Sequence, residues 1–186
     1  RAGQLLSRFG DPQGVYEAGT AGWREILSDS VVEYMDRQKK SGNLEEEYHS
    51  LGEKQIGLVL QEEEGFPGKL AEIPDPPYGI FYRGKLPDEN EPAVAVIGAR
   101  ECSEYGRFVA EELGRYLGSQ GIQVISGMAR GIDGISQQAA LLAGGTSYGV
   151  LGCGVDICYP SQNRKLYEEL IQKGGLLSTY APGTKA

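Results

Sequence analysis

AVAVIGARECSEYG, residues 93–106, is the stretch whose reading decides the fold. Ala93 to Ile97 are all apolar, the composition of a strand buried on both faces of a parallel sheet. Gly98 lets the chain turn out of that strand, and Arg100 stands in the turn. From Ser103 and Glu104 onward the polar and apolar residues alternate with the rhythm of a helix. Free N–H groups at a helix start, with an arginine beside them, suit an anion.

The pattern repeats downstream. A helix from about Tyr105 to Leu117 would turn Val109, Leu113, Tyr116 and Leu117 to one face, and Gly121 ends the connection. Ile122 to Ser126 form a second strand, followed by GMARGID and a helix with Ile132, Ile135, Ala139 and Leu142 facing inward. SYGVLG (147–152) is a third strand and leads into CGVDICYP. Ser161 then caps a third helix with Leu166, Leu170 and Ile171 as its buried stripe, and LLSTY (176–180) is a fourth strand. Four strands alternating with three helices predict right-handed βαβ units and a parallel sheet, an α/β class.

The segment before Ala93 has a different character. Residues 1–40 read as short helices. Asp11-Pro12 looks like an acidic cap with a first-turn proline, and Ser30 with Glu33 fits a capping box. Leu5, Leu6, Phe9, Val15, Trp23, Ile26, Leu27 and Val32 would form a small core. A helix-hairpin-helix DNA reader would show a Gly-x-Gly hairpin between apolar helices, and none is visible, so an interaction or spacer module fits better. Residues 41–54 are polar and read as a linker or exposed helix. Ile56 to Leu60 suggest a strand, and GIFYRG (79–84), after prolines at 74, 76 and 77, suggests an edge-type strand.

The net charge of −8 is uneven: residues 1–92 hold 10 Lys and Arg against 18 Asp and Glu, and residues 93–186 hold 8 of each. Nucleic-acid binders are usually basic, yet a local cation cluster works on a neutral body. Three cysteines, an odd number, suggest reduced thiols and a cytoplasmic protein. No apolar run has the length of a membrane span. The start at Arg1 and the stop at Lys185-Ala186 suggest a piece of a longer protein.

Ligands of such sheets bind at the carboxyl ends of the strands. Three successive turns deliver Gly98-Ala99-Arg100, Ser126-Gly127-Met128-Ala129-Arg130-Gly131-Ile132-Asp133 and Gly152-Cys153-Gly154-Val155-Asp156 to that rim. Glycines admit close backbone approach and arginines offer planar contacts to phosphate. The combination favours a phosphate-bearing ligand. No G-x-x-x-x-G-K-[ST] is present, and Gly152-x-Gly154-x-x-Ile157 lacks the third glycine of a dinucleotide fingerprint. Cys153 and Cys158 have neither a second pair nor a histidine, so no metal site is expected. His49, the lone histidine, reads as surface. Cys102, beside Arg100 and a helix start, has no base to activate it. Asp133 is expected to orient rather than react, lying against its helix dipole and paired with Arg130.

IGARECSEYGR, SGMARGID, LGCGVDICYPSQNRKL and GGLLSTYAPGT, in this order, resemble the bacterial DNA-processing protein A family (DprA, also called Smf). EGFPGKLAEIPDPPYGIFYRG and the helical LLSRFGDP resemble its N-terminal region. The resemblance implies a small SAM-like helical domain over residues 1–42, then a linker and sheet-extending segment over 43–92. Residues 93–186 would be the N-terminal part of a Rossmann-like DNA-binding domain, with helices on both faces of a sheet left incomplete at its C-terminal side. It further implies a cytoplasmic, non-enzymatic binder of single-stranded DNA, without a cofactor. Such a protein protects incoming strands in natural transformation, helps load the RecA recombinase and forms a homodimer. Arg100 matches the family's DNA-binding arginine, and Arg130 the basic residue of A-[RK]-G-I-D. Two positions depart from the family pattern: Gln137, often His, and Thr146, often Lys or Arg.

The expected DNA contacts are therefore Arg100 and Arg130, with backbone around Gly98, Gly127 and Gly131. Arg107, Arg164 and Lys165 are added as surface cations, Tyr105 or Tyr159 as a stacking platform, and Asp133 and Asp156 as orienting carboxylates. The alternative is a nucleotide-binding enzyme cleaving the N-glycosidic bond of a nucleoside monophosphate, for which Asp133 and Asp156 are the only rim acids.

Overall fold

The sheet of this protein is mixed, with strand order β1-β2-β6-β5-β4-β3. In chain order its strands are β1 (Gly57–Leu60), β2 (Gly79–Gly84), β3 (Ala93–Ala95), β4 (Gln123–Ser126), β5 (Ser147–Val150) and β6 (Gly175–Ser178). The computed structural model describes residues 2–186. β3 through β6 run parallel, as the alternation of strands and helices requires, while β1 and β2 attach antiparallel at the far side of β6. β2 is thus an interior strand, not the edge suggested by the prolines before it. Those prolines shape the approach to the strand and leave its own N–H groups free to pair.

Three helices connect the parallel strands: α6 (Glu104–Ser119), α7 (Ile132–Leu142) and α8 (Arg164–Lys173). α6 packs on α7 and α7 on α8, so the three form one layer. The opposite face carries the four-residue helix α5 (Gly68–Ala71), whose Leu70 and Ala71, with Leu86, pack on Val59, Phe66, Ile80, Tyr148 and Leu177. Gln123 ties the segment after β2 to the sheet: its Nε2 donates to Asp88 O at 2.7 Å, and its Oε1 accepts from Asp88 N at 2.9 Å.

Several inward faces differ from the apolar pattern. On α6, Val109, Leu113 and Tyr116 are exposed, and the buried residues are Ala110, Gly114, Leu117 and Gly118. The reason is proximity: a Cβ on Gly114 would lie 2.2 Å from Ser136 O, and one on Gly118 2.5 Å from Ala140 O. Small residues let α6 sit against α7 backbone to backbone, and the larger apolar side chains turn outward. On α7, Leu142 is exposed, and Asp133, Ser136 and Gln137 are buried instead. Ser161 opens a short 3-10 turn over Ser161–Asn163 and caps nothing with its side chain. β3, expected to be buried on both faces, stands at the sheet margin among the described residues, with Val94 and Ile97 exposed and Val96 buried.

The chain divides into two compact units, Arg1–Glu53 and Lys54–Ala186. The first is all helical: α1 (Ala2–Phe9), α2 (Pro12–Trp23), α3 (Asp29–Ser41) and α4 (Leu44–Glu53). Asp11 caps α2 through Gly14 N at 2.7 Å. Leu5, Trp23, Leu27 and Val32 form its core, with Phe9, Val15 and Ile26 against them. α3 begins at Asp29, and its N-cap is Ser28, two residues before the Ser30 cap read from the sequence. The helical unit runs on past residue 42, where α4 continues it to Glu53, while β1 and β2, in the segment expected to extend the sheet, are hydrogen-bonded into it.

The close approach of α6 and α7 predicts that Gly114→Ala destabilises the protein by about 1–3 kcal/mol through overpacking. This outcome opposes the ~1 kcal/mol that alanine normally adds to a helix interior. The midpoint of urea unfolding measures it.

Candidate nucleic-acid interface

Three turns at the carboxyl ends of β3, β4 and β5 build the site, and one carboxylate joins the first two. Asp133, buried in the first turn of α7, accepts from Gly98 N with Oδ1 and from Gly127 N with Oδ2, each at 3.2 Å. Ser126 Oγ adds a bond to Val96 O at 2.6 Å, and Ile132 N donates to Ala99 O at 3.2 Å. Gly131 lies where these turns touch. It has φ +80°, and a Cβ there would fall 2.1 Å from Ala99 O, so only glycine fits.

The turn that carries Arg130 has no regular structure of its own. Met128 within it is fully buried and adopts φ +55°, unusual for a residue with a side chain. Gln137, also fully buried, accepts from Met128 N at 3.0 Å and donates to Ser147 Oγ at 3.2 Å and Tyr148 O at 3.0 Å. Asn163 donates to Met128 O at 2.8 Å and Ala129 O at 3.2 Å. Both polar side chains were invisible as site residues in the sequence. Gln137 stood out only as a departure from a histidine pattern, and Asn163 only as one letter of the YPSQN stretch.

Above these turns opens a cavity of about 350 Å³ lined by Arg100, Gly127, Ala129, Arg130, Leu151, Gly152, Cys153, Tyr159, Pro160 and Ala186. Both arginines are exposed, and among the described residues neither side chain makes a hydrogen bond or ion pair. Two free guanidinium groups on a rim floored by backbone suit a phosphate bearing a bidentate contact. Tyr159, 56% exposed, adds a ring to the same lining. Leu151, Cys153 and Pro160 add apolar surface to the lining.

The remaining predicted residues lie elsewhere. Gly98 and Gly131 pack beneath the cavity, and a Cβ on Gly98 would come 2.7 Å from Ile132. Arg107 and Tyr105 are exposed on α6 and do not line the cavity. Arg164 lies over the Tyr167 ring at 5.6 Å, and Lys165 pairs with Glu169 at 3.8 Å. The expected Asp133–Arg130 pair is absent, because both oxygens of Asp133 are turned to backbone N–H groups. Asp156 likewise accepts from Gly183 N at 2.8 Å and stands 4.0 Å from Lys54 Nζ. No side-chain carboxylate lines the cavity among the described residues, so the acid that the glycosidase alternative needs is engaged elsewhere. Burial, and after it the Asp156 charge, pushes the Cys153 thiol up, and burial does the same to Cys158. Both are thereby poorer nucleophiles and metal ligands.

The family model for DNA recombination-mediator protein A matches residues 57–186. The chain is 33% identical over 138 residues to Protein Smf of Synechocystis, covering 72% of this chain and 34% of that protein. It is 38% identical over 118 residues to DNA processing protein DprA of Streptococcus pneumoniae, covering 63% of this chain and 42% of that one. The chain thus spans well under two thirds of the relatives it matches. Among solved structures, DNA processing protein A from Streptococcus pneumoniae superposes with a TM-score of 0.71 and 31% identity, covering 86% of this chain and 55% of that one. The Helicobacter pylori protein, described for its single-stranded DNA binding mode, superposes with a TM-score of 0.61 and 29% identity, covering 70% and 58%. The chain, with its Rossmann-like α/β fold, belongs to the DNA recombination-mediator protein A family.

The Asp133 bridge predicts that Asp133→Asn, which replaces one acceptor oxygen by a donor, leaves Gly98 N or Gly127 N unsatisfied. Stability falls by about 1–3 kcal/mol in urea unfolding, and hydrogen exchange at these two amides accelerates.

Proposed function

We propose that the chain binds single-stranded DNA, without catalysis, in the cavity between Arg100 and Arg130. The observation that carries this reading is the pair of unpartnered arginines on one glycine-floored cavity with no side-chain carboxylate in its lining. A phosphate bridges the two guanidinium groups, and the unpaired base of the same nucleotide enters against Tyr159 and Pro160. A duplex keeps its bases stacked inside and cannot fill such a cavity without unpairing. The neutral charge balance of residues 93–186 is compatible with few phosphate contacts. The Helicobacter pylori relative, described for binding single-stranded DNA, supports the same ligand class. Arg107, Arg164, Lys165 and Tyr105 contribute at most a diffuse attraction along the flanking strand.

Family membership supports the finer roles proposed for the protein. As a recombination mediator in the cytoplasm, the protein protects incoming strands in natural transformation and loads RecA onto them, acting as a homodimer. RecA assembly on oligo-dT with and without the protein tests the loading role directly.

Binding of fluorescent oligo-dT by the full chain, measured across a salt series, tests the site. With two to four phosphates neutralised, the logarithm of affinity falls with the logarithm of salt at about −0.7 per phosphate. Arg100→Ala and Arg130→Ala each weaken binding about tenfold or more, the scale of charge-assisted hydrogen bonds, and each lowers the slope by about 0.7. A double variant that binds like the wild type overturns the assignment.

Stacking predicts a different signature for Tyr159→Ala. It costs about 1–3 kcal/mol per stacked base in the same titration, while the salt slope stays unchanged.

A further inference from the structure

We propose that Asn163 is a positioning residue for Arg130, a role that rests on the single-stranded DNA reading above. Its side-chain amide donates to the carbonyls of Met128 and Ala129, the two residues immediately before Arg130. The turn from Gly127 to Gly131 lies between β4 and α7 without a ladder or helix to hold it, so side-chain bonds set its shape. Three of the other holds come from α7, the element that continues the turn: Asp133 on Gly127 N, Gln137 on Met128 N, and Gly134 N donating to Ala129 O at 3.0 Å. Asn163 comes from the far side of β5, at the end of the short turn before α8.

That origin gives Asn163 a second connection. Its own N–H donates to Pro160 O at 3.0 Å, and Tyr159 and Pro160 line the same cavity as the arginines. One residue therefore links the two: its side chain holds the cation-bearing turn, and its backbone N–H bonds the ring-bearing segment. Asn163 is half-buried and does not line the cavity, so it reaches DNA only through its neighbours. Met128 makes the hold consequential. A buried side chain at φ +55° persists only where its surroundings over-determine it, and freeing its carbonyl lets the turn relax toward a commoner conformation and carry Arg130 away.

A double-mutant cycle on oligo-dT binding by the full chain, run across a salt series, tests this. Asn163→Ala weakens binding about three- to tenfold, the scale of the two hydrogen bonds removed, and lowers the salt slope by up to about 0.7, as loss of one phosphate contact does. In the Arg130→Ala background the same change has no further effect, whereas in the Arg100→Ala background it costs its full factor. Asn163→Asp, which sets an acceptor against two carbonyl oxygens, weakens binding at least as much. If the alanine variant does not fold by thermal unfolding, Asn163→Ser, which keeps one donor, takes its place in the cycle. Wild-type binding by Asn163→Ala, an unchanged slope, or equal losses in both arginine backgrounds overturn the proposal. Normal binding by the Arg100→Ala, Arg130→Ala double variant overturns the DNA reading itself.

Discussion

A single buried carboxylate sets the geometry on which the candidate site depends. Asp133 bonds the amide at the tip of one strand and the amide at the tip of the next, so the turns bearing Arg100 and Arg130 cannot move independently. A carboxylate with two acceptor oxygens suits this task, because each buried N–H left unmet carries a desolvation penalty. The same two bonds explain why Asp133 does not pair with Arg130. Its lone pairs are directed at backbone, and the arginine is left free at the rim.

Freedom of the two guanidinium groups is the feature of this rim that most suits an anionic ligand. An enzyme acting on a nucleotide needs an acid or base aimed at the reacting atoms, and here both nearby carboxylates hold backbone amides. What remains is a cavity lined by two unpaired arginines, by Gly127 and Gly152, and by Leu151, Tyr159 and Pro160. In the proposed reading, such a surface holds a polynucleotide by its phosphate and one face of a base.

Close backbone packing recurs throughout the second unit and has one physical cause. Gly114 and Gly118 bring α6 against α7, and Gly131 brings the two arginine turns together, each at a point where a Cβ would overlap a carbonyl oxygen. Wherever small residues make the contact, larger apolar neighbours are displaced outward. That is why Val109, Leu113, Tyr116 and Leu142 are exposed although the helical period places them on an apolar stripe. A hydrophobic pattern marks which faces are greasy, but it does not register how near another backbone lies.

Local composition by itself determined the order and type of elements from Ala93 onward. Apolar runs, helical periods and glycine stops are properties of short segments, and the four parallel strands with three crossing helices follow from them. The small helical core around Trp23 and the glycine-framed arginines at the strand ends were legible for the same reason. Tertiary structure alone decided the remainder. It made β2 an interior strand, left β3 at the margin and turned the glycine face of α6 inward. It also bent the Arg130 turn through a left-handed methionine held by Gln137 and Asn163. Those outcomes depend on pairings between residues some ten to a hundred positions apart, such as Asn163 with Met128 or β2 with β6, and no short-range preference encodes them.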